Sequence, residues 1–264
     1  MEQVALASAL GSVIGLVLAF TGAGGGILAI PLLVFGLHLP VQQAAPIGLL
    51  AVGLASVLGA GMGLREGVVR YRAAGLIGGF GVLLAPAGVA LAQRLPNQPL
   101  LVAFAFVLGF VAARMLRPPS KIDLSAKDAP CMVNPQSGRI SWTWPCARAL
   151  AATGAVSGLL SGLLGVGGGF VIVPALERHT DLSVRSIHAT SLGVIALVSA
   201  SGVSAALLHG SFDWSVALPF AGGAACALLL GRRIARGWDP ARLRQGFAWI
   251  SLLVAILLLV RALG

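Results

Sequence analysis

Two long apolar blocks, each broken near its middle by the same glycine pattern, constrain this chain more than any other feature. The first, 4–37, carries Gly22-Ala23-Gly24-Gly25-Gly26 and then Pro31. The second, 147–176, carries Gly165-Val166-Gly167-Gly168-Gly169 and then Pro174. In both, the proline stands five residues after the last glycine. Continuous helix through three adjacent glycines costs about 1 kcal/mol at each relative to alanine. Both blocks therefore read as a helix, a glycine hinge and a short half-helix. Six further apolar blocks, 43–64, 73–93, 98–116, 186–208, 214–231 and 245–263, each suffice for one membrane crossing.

Composition agrees with lipid as the surrounding solvent. Hydrophobic residues make up 58% of the 264 and charged residues 10%, with mean hydropathy +0.96. Soluble domains carry about 45–50% apolar and about 25% charged residues. The 36 glycines and 14 prolines suit membrane helices that break or pack closely. The expected fold is all-α and polytopic. Met1-Glu2-Gln3 is acidic where a secretion signal begins basic, and the first apolar run recurs later, so it is expected to be retained.

The chain can be laid on itself so that Gly24-Gly25-Gly26 falls on Gly167-Gly168-Gly169 and Pro31 on Pro174. The same ungapped register pairs Ser56 with Ser199, Gly59 with Gly202 and Phe104 with Phe247. Between positions 15 and 59 the match is 14 of 45, against roughly one in ten from composition. The chain therefore divides into a first transmembrane repeat (1–116), a polar linker (117–146) and a second repeat (147–264). Each repeat is a broken helix followed by three crossings.

Basic residues set the orientation. If block 147–176 crosses once, the 18 Lys and Arg split 10 to 8 between the faces. If it dips and returns, or crosses twice, 16 fall on one face and only Arg94 and Arg261 lie opposite. The positive-inside rule favours the second arrangement. The linker is then cytoplasmic and both termini lie outside. Corresponding loops, 65–72 and 209–213, fall on opposite faces, so the repeats are expected to have inverted topology. Inverted repeats with matched broken helices point to a secondary transporter with a midplane site.

The breaks supply chemistry without charged side chains. A half-helix beginning after either triplet presents free N–H groups and the positive end of its dipole, which suits a small anion. Candidate substrate-binding residues are Thr21, Gly24, Gly25, Gly26, Gly167, Gly168, Gly169, Thr190 and Ser191. Ser157 and Ser161 flank the second break. His188 is a candidate for a coupled proton or for gating. Gln42 and Gln43 are expected at the interface. Ser56 and Ser199 match between repeats, although Ser in a membrane helix often bonds its own backbone.

The paired motifs GAGGGILAIP and GVGGGFVIVP, with His188-Ala189-Thr190-Ser191-Leu192 downstream, resemble the TauE/SafE family of sulfite exporters. The resemblance covers 4–116 and 147–263. It implies an inner-membrane transporter that moves sulfite, thiosulfate or a small organosulfonate such as sulfoacetate, usually outward. It also implies the two glycine triplets as site backbone, with Thr190 and Ser191 beside them. The first copy departs from the pattern at Pro46-Ile47-Gly48, so a hydroxyl contribution there is one-sided.

Other chemistries lack their signatures. There is no C-x-x-C, no H-E-x-x-H and no G-x-G-x-x-G with a following acid, so neither a metal, a cofactor nor an enzyme activity is expected. Net charge of +10 reads as topology rather than nucleic-acid binding. Cys131 and Cys146 are expected to stay reduced in a cytoplasmic linker, and Cys226 to be packed inside its block. The five tryptophans read as interfacial anchors. The expected partners are a small oxyanion and the bilayer, with homo-oligomerisation left open. The rival plan is a passive anion channel built from the same repeats.

Overall fold

A computed structural model describes residues 2–21, 26–116, 131–132, 142–208, 212–234 and 240–263. Among the described residues ten α-helices follow in order: α1 (Glu2–Thr21), α2 (Ala29–Gly36), α3 (Val41–Arg65), α4 (Tyr71–Arg94), α5 (Asn97–Leu116), α6 (Trp144–Leu164), α7 (Gly169–His179), α8 (Val184–Leu208), α9 (Trp214–Ile234) and α10 (Pro240–Leu263). Seven of them, α3 to α6 and α8 to α10, are long and apolar enough to cross a membrane. The expected all-helical, polytopic fold is what the chain adopts. Outside the helices, the described residues hold one isolated β-bridge, between Cys131 and Thr180.

Small residues decide how the helices pack. Lipid gives no hydrophobic drive between membrane helices, so close backbone approach must supply the attraction. On α6, Gly154 lies against the Ile77 carbonyl of α4, Gly158 against Gly81 and Gly162 against Ala85. On α1, Gly11 lies against the Phe220 carbonyl of α9 and Gly15 against that of Ala224. The register that aligns the glycine triplets also turns one seam into the other: Gly11 becomes Gly154, Gly15 becomes Gly158, and Phe220 and Ala224 become Ile77 and Gly81. In each seam the two helices run parallel. Further pairs are α3 with α8, α4 with α8, α3 with α9, and α5 with α10. Helices α3 and α8 cross antiparallel, since Gly53 meets Ser199, Gly59 meets Leu192 and Gly63 meets Ala189.

Local polar bonds repair the helix ends and breaks. Pro86 inside α4 has no N–H for the Val82 carbonyl, and Ser201 Oγ of α8 donates to that oxygen at 2.8 Å. The start of α8 fastens the 66–70 loop: Arg185 pairs with Glu66 at 2.8 Å, and Ser186 Oγ donates to the Val68 carbonyl at 2.7 Å. On the other side of the bundle, the Val41 N–H donates to Asn97 Oδ1 at 2.9 Å and Gln42 Nε2 to the Leu95 carbonyl at 3.0 Å. Asp213 caps α9. It accepts from Ser215 Oγ and the Ser215 N–H, which hold its carboxyl below the usual range.

Both half-helices are tethered at their outer ends. Arg261 of α10 donates to the Val34 carbonyl of α2 at 3.1 Å and stacks over Phe35. Its charge faces the negative end of that short helix. The α7 end is held differently. Cys131 N–H donates to the His179 carbonyl, and Cys131 is disulfide-bonded to Cys146 in the first turn of α6.

This bond corrects the expectation of two reduced thiols. The β-bridge to Thr180 brings Cys131 to the start of α6, with Cα atoms 5.0 Å apart, a placement that spacing along the chain does not reveal. Alkylating the denatured protein without reductant is therefore expected to modify one thiol, Cys226, and with reductant all three. Intact mass reads the difference, and three modified thiols without reductant would refute the pairing. Cys226 is also not packed inside; it lies exposed on α9, on a surface that in such a bundle faces lipid. Trp142, Trp144 and Trp214 are exposed at helix starts and Trp249 is exposed within α10, whereas Trp238 lies outside the described residues.

Candidate functional site

The second break is built from left-handed glycines. Helix α6 ends at Leu164, and Gly165 (φ +71°), Gly167 (+80°) and Gly168 (+73°) carry the chain to α7. A side chain at such φ costs roughly 1–2 kcal/mol, so the turn demands glycine. The Gly165 N–H donates back to the Ser161 carbonyl at 2.8 Å. The Gly168 carbonyl accepts from the Val171 and Ile172 N–H groups and from Ser157 Oγ. The earliest N–H groups of α7 have no partner within the helix, and the positive end of its dipole lies there.

The first break reaches the same place. Gly24 and Gly25 lie outside the described residues, as does the Thr21 side chain, while Thr21 itself closes α1. Gly26 opens a short turn into α2. A methyl group on Gly26 would come 3.1 Å from the Val166 carbonyl oxygen and against Val52. One on Gly167 would meet Ile195 at 2.8 Å and Val52 at 3.0 Å. The two breaks therefore meet over Val52 of α3 and Ile195 of α8, which are themselves counterparts in the repeat register.

The faces of α3 and α8 that carry these two residues are small and hydroxyl-bearing. One turn from Val52 stand Gly48 and Ser56; one turn from Ile195 stand Ser191 and Ser199. Gly48 lets the Gly165 carbonyl approach α3. The hydroxyls of Ser56, Ser191 and Ser199 are buried and have no hydrogen-bond partner, and so is that of Ser161 on α6. A buried hydroxyl left unmatched costs about 1–3 kcal/mol. Such a cluster at one crossing calls for a ligand or ordered water.

Thus Gly26, Gly167, Gly168, Gly169 and Ser191 belong to one neighbourhood. Thr190 does not join them. Its Oγ1 accepts from the Arg70 N–H at 3.0 Å, so it fastens the start of α4. His188 stands apart from the breaks and lines a cavity of about 280 Å³ among α1, α3, α8 and α9, with its buried Nδ1 unpartnered. Gln42 is no simple interfacial side chain, since it binds the Leu95 carbonyl. Val52, Ile195 and Gly48 were not anticipated, although their repeat register and one-turn spacing are visible in the sequence. Among the described residues, no group of three or more His, Cys, Asp or Glu could hold a metal ion.

A family model described as Sulfite exporter TauE/SafE matches residues 7–258. The chain belongs to this family. It is also similar to two proteins described as probable membrane transporters. One, from Xylella fastidiosa (strain 9a5c), is 27% identical over 259 residues, covering 96% of this chain and 93% of that protein. The other, YdhB of Bacillus subtilis (strain 168), is 26% identical over 246 residues, covering 93% and 96%. No solved structure matches the chain. Membership in TauE/SafE and the seven apolar helices make this a multi-pass membrane transporter. The family match spans both glycine breaks and all the helices that meet at them.

Proposed function

We propose that the protein exports a small oxyanion, such as sulfite, thiosulfate or a small organosulfonate like sulfoacetate, across the inner membrane by alternating access. The observation that carries this reading is the convergence of both glycine breaks on three unpartnered buried serine hydroxyls. Backbone N–H groups and neutral hydroxyls suit an oxyanion, and α3 and α8 carry no Asp or Glu to hold a cation. The repeats interlock through the α1–α9 and α4–α6 seams, so each rocking unit takes helices from both repeats. The antiparallel α3 and α8, and the two seams related by the repeat register, support an inverted repeat with the site on its axis. The excess of basic residues on one face supports a cytoplasmic linker and outer termini, an orientation that the Cys131–Cys146 disulfide opposes because the cytosol keeps thiols reduced.

An inside-negative potential favours anion exit by about 2.3 kcal/mol per charge per 100 mV, so export needs no coupled ion. Purified protein should melt at higher temperature with one or more of sulfite, thiosulfate and sulfoacetate, because a ligand of the folded state stabilises it by mass action. In proteoliposomes the flux of that ligand should saturate and follow voltage. A pH-gradient requirement would overturn uncoupled export. Fast, unsaturable flux would favour a passive channel, and silence across the whole panel would overturn the oxyanion reading.

A further inference from the structure

Two cavities sit on opposite sides of the α3–α8 crossing, and their linings correspond. The larger is the cavity of about 280 Å³ that contains His188; the smaller is about 10 Å³. In the repeat register, Arg185, His188, Ala189 and Leu192 of the larger fall on Gln42, Ala45, Pro46 and Leu49 of the smaller. In the other direction, Ala19 and Gly63 become Gly162 and Ala206. Two equivalent places thus differ in whether they are open.

The closure has identifiable parts. Leu49 is 1% exposed and packs on Gly202, with the Gln42–Leu95 hydrogen bond beyond it. The counterpart Leu192 packs on Gly59 but stays half-buried beside the open cavity. The Arg185–Glu66 pair marks that cavity's mouth, its side chains 71% and 48% exposed. Deeper in, the lining includes Ser56, wholly buried and with its hydroxyl unpartnered.

We infer that these cavities are the two alternating vestibules of one oxyanion pathway, captured open on the Arg185 face and sealed on the Gln42 face. The inference rests on the transporter reading and deepens it by assigning the gates. Leu49 with Gln42 forms one gate and Leu192 the other; the Arg185–Glu66 pair is made while its side is open and is no part of the seal. The vestibules are chemically unequal. The open one is lined by His188 and by Arg185 paired with Glu66, where the sealed one has Ala45 and Gln42 at the matching positions, and Gln93.

The test uses single cysteines in full-length protein with Cys226→Ser, reconstituted without substrate. Ala189→Cys probes the open vestibule and Ala206→Cys the sealed one. An impermeant methanethiosulfonate reagent is applied from each face. Ala189→Cys should react from the Arg185 face, and Ala206→Cys about tenfold more slowly and only from the opposite face. Adding Leu49→Ala should raise Ala206→Cys labelling and lower Ala189→Cys labelling together. The milder Gln42→Ala should do the same in smaller degree, which covers a Leu49→Ala variant that fails to fold. Labelling of both sites from one face, or a rise at Ala206→Cys with no fall at Ala189→Cys, would overturn the inference. Sulfite uptake is measured in the same vesicles. Uptake without reciprocal labelling defeats the vestibules alone, and reciprocal labelling without uptake defeats only the substrate assignment.

Discussion

Gly158→Leu should yield almost no folded protein. Gly158 faces the backbone of Gly81, and even a single methyl there would overlap the Gly81 carbonyl. No rotamer change relieves contact with a backbone, so α4 and α6 would have to part along their whole seam. Gly154 and Gly162 would then lose their own close approach to Ile77 and Ala85. Overpacking a core usually costs about 1–3 kcal/mol. Here the loss spreads over three contacts and should exceed about 3 kcal/mol, a large share of a stability of about 5–15 kcal/mol. Gly15→Leu should fail in the same way, because it faces Ala224 across the counterpart seam. Gly61→Leu and Gly79→Leu are the controls, since nothing lies within 4 Å of either position. Yield and monodispersity after mild detergent extraction, followed by a thermal melt, measure all four. A Gly158→Leu protein melting within a few degrees of the parent would show that the seam does not hold the halves together.

The seam also shows what the sequence makes legible and what it withholds. Hydropathy alone outlines the crossing helices, because lipid forces long unbroken apolar runs. The glycine triplets mark both breaks, and in the second break Gly165, Gly167 and Gly168 take left-handed conformations that favour glycine. Gly11-x-x-x-Gly15 and Gly154-x-x-x-Gly158-x-x-x-Gly162 stand in plain view as small-residue repeats. They do not announce the α1–α9 and α4–α6 contacts, because the pattern names a face and not its partner. The site is legible on its backbone side and less so on its side-chain side. Thr190 and Ser191 are adjacent and look alike in the sequence, yet about 100° of helical turn sends one to the Arg70 N–H and leaves the other unpartnered. The Cys131–Cys146 pairing escapes for a different reason. It depends on the β-bridge that carries Cys131 to Thr180, which no local spacing encodes.

Gly168→Ala should abolish transport while leaving a folded protein. At φ +73° an alanine pays roughly 1–2 kcal/mol for its backbone alone. Its methyl would also overlap Ser157 Oγ and lie 2.9 Å from the Ser157 carbonyl oxygen. The hydroxyl can rotate away, but the carbonyl belongs to α6 and cannot. The cheapest relief is to move the start of α7, which shifts the N–H groups that would face the anion. A displacement of about 1 Å in a positioned group can cost about a hundredfold in rate. Flux should therefore fall by at least about tenfold, and the anion-induced rise in melting temperature should vanish. The parent melting temperature should drop only modestly, because the long helices and both seams are untouched. Adding Ser157→Gly to Gly168→Ala removes the side-chain overlap and keeps the backbone strain, so it should recover only part of the flux. Gly61→Ala should behave as the parent. If Gly168→Ala kept full flux and full ligand-induced stabilisation, the break would be a packing device and the anion site would have to lie elsewhere. If stabilisation survived while flux was lost, the break would act as a hinge between the two vestibules rather than as the seat of the ligand.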